Sequence, residues 1–274
     1  MKHRRHYVKN KVRRLKNKKS FLKRSVFWIV ILSVIIILSF FHFFIFFSKF
    51  QVNSVIVSGN NSVQGEALQS IAWNNVNKKI IVLGNWNIIS KSIFLTGPKI
   101  ISKDILNKFP QIENVKVFKK FPKTIILQIK ERTPFAVFCQ TNDKKCFYID
   151  ENGIIFKILE RIPENISIVR QIIENKEVFA GEKVVEKNII DIISKIKINL
   201  KDNFQIDVKS AMISNPFRLD IETSENWQIY FNLDSETDLQ IAKMNLLLKD
   251  EIPDSVRKTL QYIDLRFKAR AYYK

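Results

Sequence analysis

The sequence predicts an α+β protein held to a membrane by one helix, and three observations carry that reading. Ser25–Ser48 is a run of 24 residues without Asp, Glu, Lys or Arg. Residues 51–131 then give the order strand, helix, helix, strand, strand. Beyond Pro134 the apolar residues mostly alternate with polar ones, the period of half-buried strands.

The uncharged run comes first. As a helix it would be about 36 Å long, enough for a hydrocarbon core of roughly 30 Å with some tilt. It is apolar all round, which suits lipid better than a soluble core. His42 interrupts it and reads as a tolerated polar residue rather than a proton-handling one. Residues 1–24 hold twelve Lys and Arg and no acid. Such a tail stays cytoplasmic by the positive-inside rule. It also suits anionic headgroups, with nucleic acid as the other polyanion considered; no specific nucleic acid is expected. The run ends Phe46-Phe47-Ser48-Lys49, with no small-residue cleavage site, so an uncleaved anchor is read rather than a signal peptide. The bulk of the chain then lies outside, by a single crossing.

Val52, Val55 and Val57 alternate before the break at Gly59-Asn60-Asn61. Ser62 precedes a short helical pattern of Val63, Ala67, Leu68 and Ile71. Residues 74–98 hold two apolar runs, Ile80–Leu83 and Ile88–Leu95, beside Gly84-Asn85 and Gly97-Pro98, and fit strands or helix alike. Ser102 reads as the cap of a second helix, Lys103–Phe109, ended by Pro110. Strands follow at Asn114–Phe118 and Thr124–Glu131, with Phe121-Pro122 at the corner. A three-stranded sheet with two helices on one face buries these stripes.

After Pro134, Phe135–Cys139 and Cys146–Ile149 read as a hairpin with its tip at Thr141–Lys145. Cys139 and Cys146 fall on its two arms, within reach of a disulfide, with two free thiols as the rival reading. Asp150-Glu-Asn-Gly153 is a turn signal before Ile154–Phe156, and its acids read as solvated turn residues. Val185, Ile189, Ile192, Ile193, Ile196 and Leu200 have helical spacing. Phe217, Leu219 and Ile221 alternate, as do Trp227, Ile229 and Phe231. Ser235-x-x-Asp238 has the form of a capping box opening a helix to about Leu248. Ile263, Leu265 and Phe267 alternate toward the end. The result is a mostly antiparallel sheet with flanking helices.

Catalysis finds little support. The three His lie at positions 3, 6 and 42, so a His-based triad or His-containing zinc site has no ligands beyond the anchor. No phosphate-cradling glycine motif occurs. Trp73, Trp86 and Trp227 read as packing rather than a ligand box. No enzyme activity, cofactor or metal is expected.

Several of these stretches recur together in a known family. Val55, Val57, Gly59 and Asn60, then Val115-Lys116-Val117 and Phe121-Pro122, resemble a POTRA domain. Ile129-Lys130-Glu131-Arg132-Thr133-Pro134-Phe135-Ala136 is similar to the Glu-Arg-x-Pro-x-Ala junction of the bacterial FtsQ/DivIB division proteins. Tyr148–Phe156 and Tyr262–Phe267 continue the likeness in order. Each motif is weak alone; their shared order is specific. Residues 74–91 are longer than the family pattern needs.

The resemblance implies a division: cytoplasmic tail 1–24, membrane helix 25–48, POTRA domain 49–132, and a curved FtsQ-type β-domain 133–274. It implies a non-catalytic membrane scaffold of the division machinery at the septum, with FtsB- and FtsL-like partners. A POTRA protein of secretion or outer-membrane assembly is the alternative; repeated POTRA units or a β-barrel pattern would mark it, and the sequence shows neither. The family's partner contacts lie on the last strand. Here that strand is expected at Lys268-Ala269-Arg270-Ala271-Tyr272-Tyr273, with no residue after Lys274 to cover its edge. Tyr272 and Tyr273 are expected on opposite faces, one packed inward. Lys268 and Arg270 share a face and either favour an acidic partner or guard the edge against aggregation.

Overall fold

The computed structural model describes residues 25–83, 86–140, 145–163, 166–171 and 177–274, with only the backbone course of those among 80–88 and of 140. The basic tail, the Gly84-Asn85 turn, the Trp86 side chain and all but the last residue of the expected hairpin tip lie outside the described residues.

Helix α1 runs Ser25–Phe46 and buries none of its side chains in the protein. At 22 residues it is about 33 Å long, still enough to cross a bilayer. It stops two residues short of the sequence expectation because Ser48–Phe50 turns off as a short 3-10 helix. The last carbonyls of a helix lack internal donors. Here the Ser92 hydroxyl donates to the Phe44 carbonyl (2.9 Å), and Ser90 Oγ and Gln51 Nε2 both donate to that of Ile45 (2.7 Å each).

The first lobe follows. Its elements are β1 (Ser54–Ser58), α2 (Gly65–Val76), β2 (Lys78–Leu83), β3 (Trp86–Ser90), α3 (Pro98–Lys108), β4 (Ile112–Lys120) and β5 (Thr124–Glu131). The sheet order is β1-β5-β4, with β1 parallel and β4 antiparallel to β5. Val55, Ile125, Leu127 and Ile129 bury one face against Leu68, Ile71, Ile101 and Ile105. The segment that the sequence left open is an antiparallel hairpin, β2 with β3. Its apolar runs satisfy either period, so only the pairing decides.

Both helix starts differ from expectation. Helix α3 opens at Pro98, whose fixed φ and missing N–H suit the first turn. Ser102 is therefore inside the helix, and its hydroxyl donates to the Val115 carbonyl (3.0 Å), tying α3 to β4. Helix α2 opens at Gly65, and Ser62 is engaged elsewhere, as described below.

The second lobe is one nine-stranded sheet. Its strands are β6 (Ala136–Gln140), β7 (Cys146–Ile149), β8 (Ile155–Leu159), β9 (Ile168–Gln171), β10 (Val208–Asn215), β11 (Arg218–Thr223), β12 (Gln228–Asn232), β13 (Tyr262–Asp264) and β14 (Tyr272–Tyr273). The order is β14-β13-β12-β11-β10-β9-β6-β7-β8. Most neighbours are antiparallel; β12–β13, β9–β10 and β6–β9 are parallel. Helices α4 (Lys187–Phe204), α5 (Thr237–Leu246) and the short α6 (Asp254–Arg257) complete it. Trp227, Phe138 and Phe231 are the largest fully buried side chains of its core, joined by the α4 stripe Ile190, Ile193, Ile196 and Leu200.

The expected capping box does not form, since α5 carries no side-chain cap. Gln240 replaces it: its amide accepts from the Asn232 N–H (2.9 Å) and donates to the Asn232 carbonyl (2.8 Å), pinning α5 to β12. Phe217 precedes its strand and is exposed. Phe267 is also exposed, because the chain bends after Asp264 instead of extending.

Two adjacent side chains stand where the first lobe gives way to the second, Glu131 turned back into the first lobe and Arg132 reaching into the second. Glu131 accepts from the N–H groups of Asn61 (2.8 Å), Ser62 (2.9 Å) and Val63 (3.1 Å), and from the Ser62 hydroxyl (2.6 Å). Burial works to raise its pKa, but these donors outweigh burial and hold it below the usual glutamate range. Arg132 turns the other way. Its Nε donates to the Pro110 carbonyl (3.0 Å), and its Nη1 pairs with Asp150. The Arg132 and Asp150 side chains are only 13% and 4% exposed. Asp150 is thus a buried ion-pair partner, not a solvated turn residue. Its other oxygen accepts from the N–H groups of Asn152 and Ile154 (2.9 Å each). Two glycines make room. At Gly59 (φ +82°) a Cβ would lie 2.2 Å from the Ile129 carbonyl oxygen, and at Gly153 (φ +74°) one would lie 2.0 Å from that of Val185.

Two outcomes follow from this junction. Arg132→Ala leaves the Asp150 carboxylate buried and unpaired, so stability in urea unfolding should drop by about 3 kcal/mol. Glu131 has a depressed folded pKa, so its contribution is complete above the unfolded-state pKa and is lost as pH falls through the folded one. The melting temperature should therefore decline on acidification, and Glu131→Gln should decline less over the same range.

Candidate functional site

The candidate site is the β14 margin of the large sheet. Strand order puts β14 at one end, with a strand on only one side among the described residues. It is shorter than expected: Phe267, Lys268 and Ala269 lie in bends, Arg270 and Ala271 lead into the strand, and only Tyr272 and Tyr273 pair with β13. The bends start where Asp264 turns its carboxylate onto its own chain, accepting from the Arg266 N–H (3.1 Å), Nε (2.9 Å) and, through Oδ2, Nη2 (2.6 Å).

The register sets the two rows of side chains. Ile221, Ile229, Ile263 and Tyr273 are aligned, and so are Asp220, Tyr230, Asp264 and Tyr272. The two tyrosines thus belong to opposite faces. Both are 46% exposed, however, so neither packs into the core at the sheet's margin. Tyr272 lies edge-on to Phe267 with ring centroids 5.0 Å apart. Lys268 and Arg270 are exposed, and Ala271 is half-buried against the core.

Sequence reasoning missed the row beside this edge. Tyr230 stacks on Tyr262 at 5.6 Å, and the guanidinium groups of Arg218 (4.9 Å) and Arg266 (5.3 Å) both lie within cation–π range of its ring. Arg218 Nε donates to Asp220 at 2.7 Å. Burial first and Asp220 second push the Tyr230 hydroxyl up, so it stays protonated and donates to Gln228 (2.9 Å). Burial opposes ionisation of Asp264, yet the Arg266 bonds hold its pKa below the usual range. The signal was present as the outward positions of the alternating strands, between Leu219 and Ile221 and between Ile229 and Phe231. Lys243 was missed too. From α5 it donates to the Phe267 carbonyl (2.8 Å), fixing the segment that leads into β14.

The arrangement offers paired charges, aromatic faces and a backbone edge, which suit recognition. No cluster of three or more His, Cys, Asp or Glu is placed to hold a metal among the described residues.

The other predicted pair lies elsewhere. Cys139 and Cys146 are register partners on β6 and β7 and are joined as a disulfide, Cα–Cα 4.2 Å. It lies in a small cluster with Val137, separate from the main core, and belongs to the half of the sheet remote from β14. The structure does not bring the two predicted groups together, and the disulfide has the place of a structural staple.

Residues 137–266 match the family model described as cell division protein FtsQ/DivIB, C-terminal. The match begins in β6 and ends just before the bends that lead to β14. A comparison with curated proteins found no match.

Proposed function

The chain belongs to the FtsQ/DivIB family of cell-division proteins, and we propose that it serves division as a non-catalytic, single-pass membrane scaffold at the septum. The tail with its twelve basic residues keeps the N-terminus cytoplasmic. Helix α1 crosses once, and the POTRA-like lobe (49–132) and the β-domain (133–274) stand outside. The β14 margin then receives FtsB- and FtsL-like partners and couples them to septal wall synthesis.

The observation that carries this reading is the sheet end at β14, with two half-exposed tyrosines and a strand on one side only. A strand with free N–H and C=O groups can be extended by an incoming segment. Tyr272 and Tyr273 would supply contact area on either face, and tyrosine is enriched among interface hot spots. Lys268 and Arg270 favour an acidic segment and disfavour another copy of the same basic edge. The Tyr230 row and Lys243 hold the margin in shape before a partner arrives.

The test is a pull-down with the co-encoded FtsB-like protein. Tyr272→Ala and Tyr273→Ala should each weaken capture by about 2 kcal/mol, roughly thirtyfold. Deletion of 268–274 should abolish it. A truncated protein that keeps its fold and binds as tightly as the parent would overturn the assignment of this edge.

A further inference from the structure

Beyond the partner edge, we propose that the first lobe has a second membrane contact: the β4–β5 corner around Phe121 and the loop at Phe94 lie in the outer-leaflet interface, against phospholipid headgroups. The inference rests on α1 spanning the bilayer, and the test below separates the two.

The argument starts where the span ends. Helix α1 finishes at Phe46, so the bilayer surface lies near that residue. The joint there is built. The Ser90, Ser92 and Gln51 side chains occupy the Phe44 and Ile45 carbonyls, so the first lobe is held against the helix end. A chain of rings continues across the joint. Phe44 meets Phe50 at 5.8 Å and Phe94 at 5.2 Å; Phe50 meets Phe94 at 5.2 Å, and Phe94 meets Phe121 at 5.5 Å. This cluster connects lipid-facing helix to folded lobe without a polar break.

Its outer members are not buried by the protein. Phe94 is 42% exposed and Phe121 57%, with Leu95 beside them at 37%. An exposed apolar patch continuous with a membrane anchor is covered by the same lipid at no further search cost. The rim is basic: Lys119, Lys120 and Lys123 flank Phe121 in the run Lys-Lys-Phe-Pro-Lys. Lys119 reaches back to the Phe94 carbonyl (3.4 Å). Aliphatic stems along the patch with ammonium groups at phosphate height are the arrangement lysine adopts at interfaces. The occupant that fits phenylalanines inside a lysine rim, at the level where α1 leaves the hydrocarbon, is the headgroup layer.

The consequence is orientation. One helix leaves a domain free to tilt and swing; a second contact would fix which way the β14 margin faces.

The experiment is site-directed spin labelling of the full chain in phosphatidylethanolamine/phosphatidylglycerol vesicles. Labels go on Phe121→Cys, Lys123→Cys, Ser33→Cys within α1, and Phe217→Cys on the second lobe; Cys139 and Cys146 are joined and stay unlabelled. Collisions with oxygen and with a nickel chelate are compared. Labels at 121 and 123 should have less chelate contact than 217 and more than 33, the intermediate pattern of the headgroup layer, while 33 should favour oxygen and 217 the chelate. Replacing Lys119, Lys120 and Lys123 by Gln should move the 121 label toward the aqueous pattern. Chelate contact at both 121 and 123 equal to that at 217, with 33 immersed, overturns the second contact. An aqueous signal at 33 overturns the span, and this inference with it.

Discussion

The fold depends on two consecutive side chains at the end of one strand. Glu131 and Arg132 leave β5 in opposite directions. The first gathers the N–H groups of the loop between β1 and α2; the second enters the next lobe and pairs with Asp150. A buried ion pair stabilises little when compared with apolar packing, but it is costly to break once built. It also has direction, which apolar contact lacks. That is the useful property at a junction where two sheets must keep one relation. The glycines at 59 and 153 act within the lobes, the first against the Ile129 carbonyl and the second against that of Val185, where a Cβ would not fit.

Stretches that look independent along the chain therefore act together. Arg132 and Asp150 are the two sides of one contact. Asp150 could not be read from the sequence, because a turn acid is ordinarily solvated and only its burial beside Arg132 changes that. The sequence does not show a partner for Glu131, since its donors lie some seventy residues earlier.

What was legible has a strong period or a long run. The anchor, the strand Thr124–Glu131, the α4 stripe and the facing positions of Cys139 and Cys146 needed no tertiary information. The hairpin of β2 and β3 was not legible, since apolar runs of that length fit either period. Helix starts were misplaced where serine had another job: Ser62 serves Glu131 and Ser102 serves β4. At the margin, alternation through Ile263, Leu265 and Phe267 suggested a longer strand than the Arg266–Asp264 contact permits.

These pieces describe one apparatus. A helix long and apolar enough to span a bilayer is fastened through its last carbonyls to a first lobe; that lobe is clamped through Arg132 to a large sheet; and among the described residues the sheet ends at β14 with a strand on one side only. Each link is a directional contact, so position at the membrane is passed on to the β14 margin that we propose as the recognition edge. The claim that this apparatus serves division is tested most directly by imaging a fluorescently tagged full-length chain through the cell cycle. The account predicts signal concentrating at the division site as the septum forms. Uniform membrane fluorescence at every stage would contradict it.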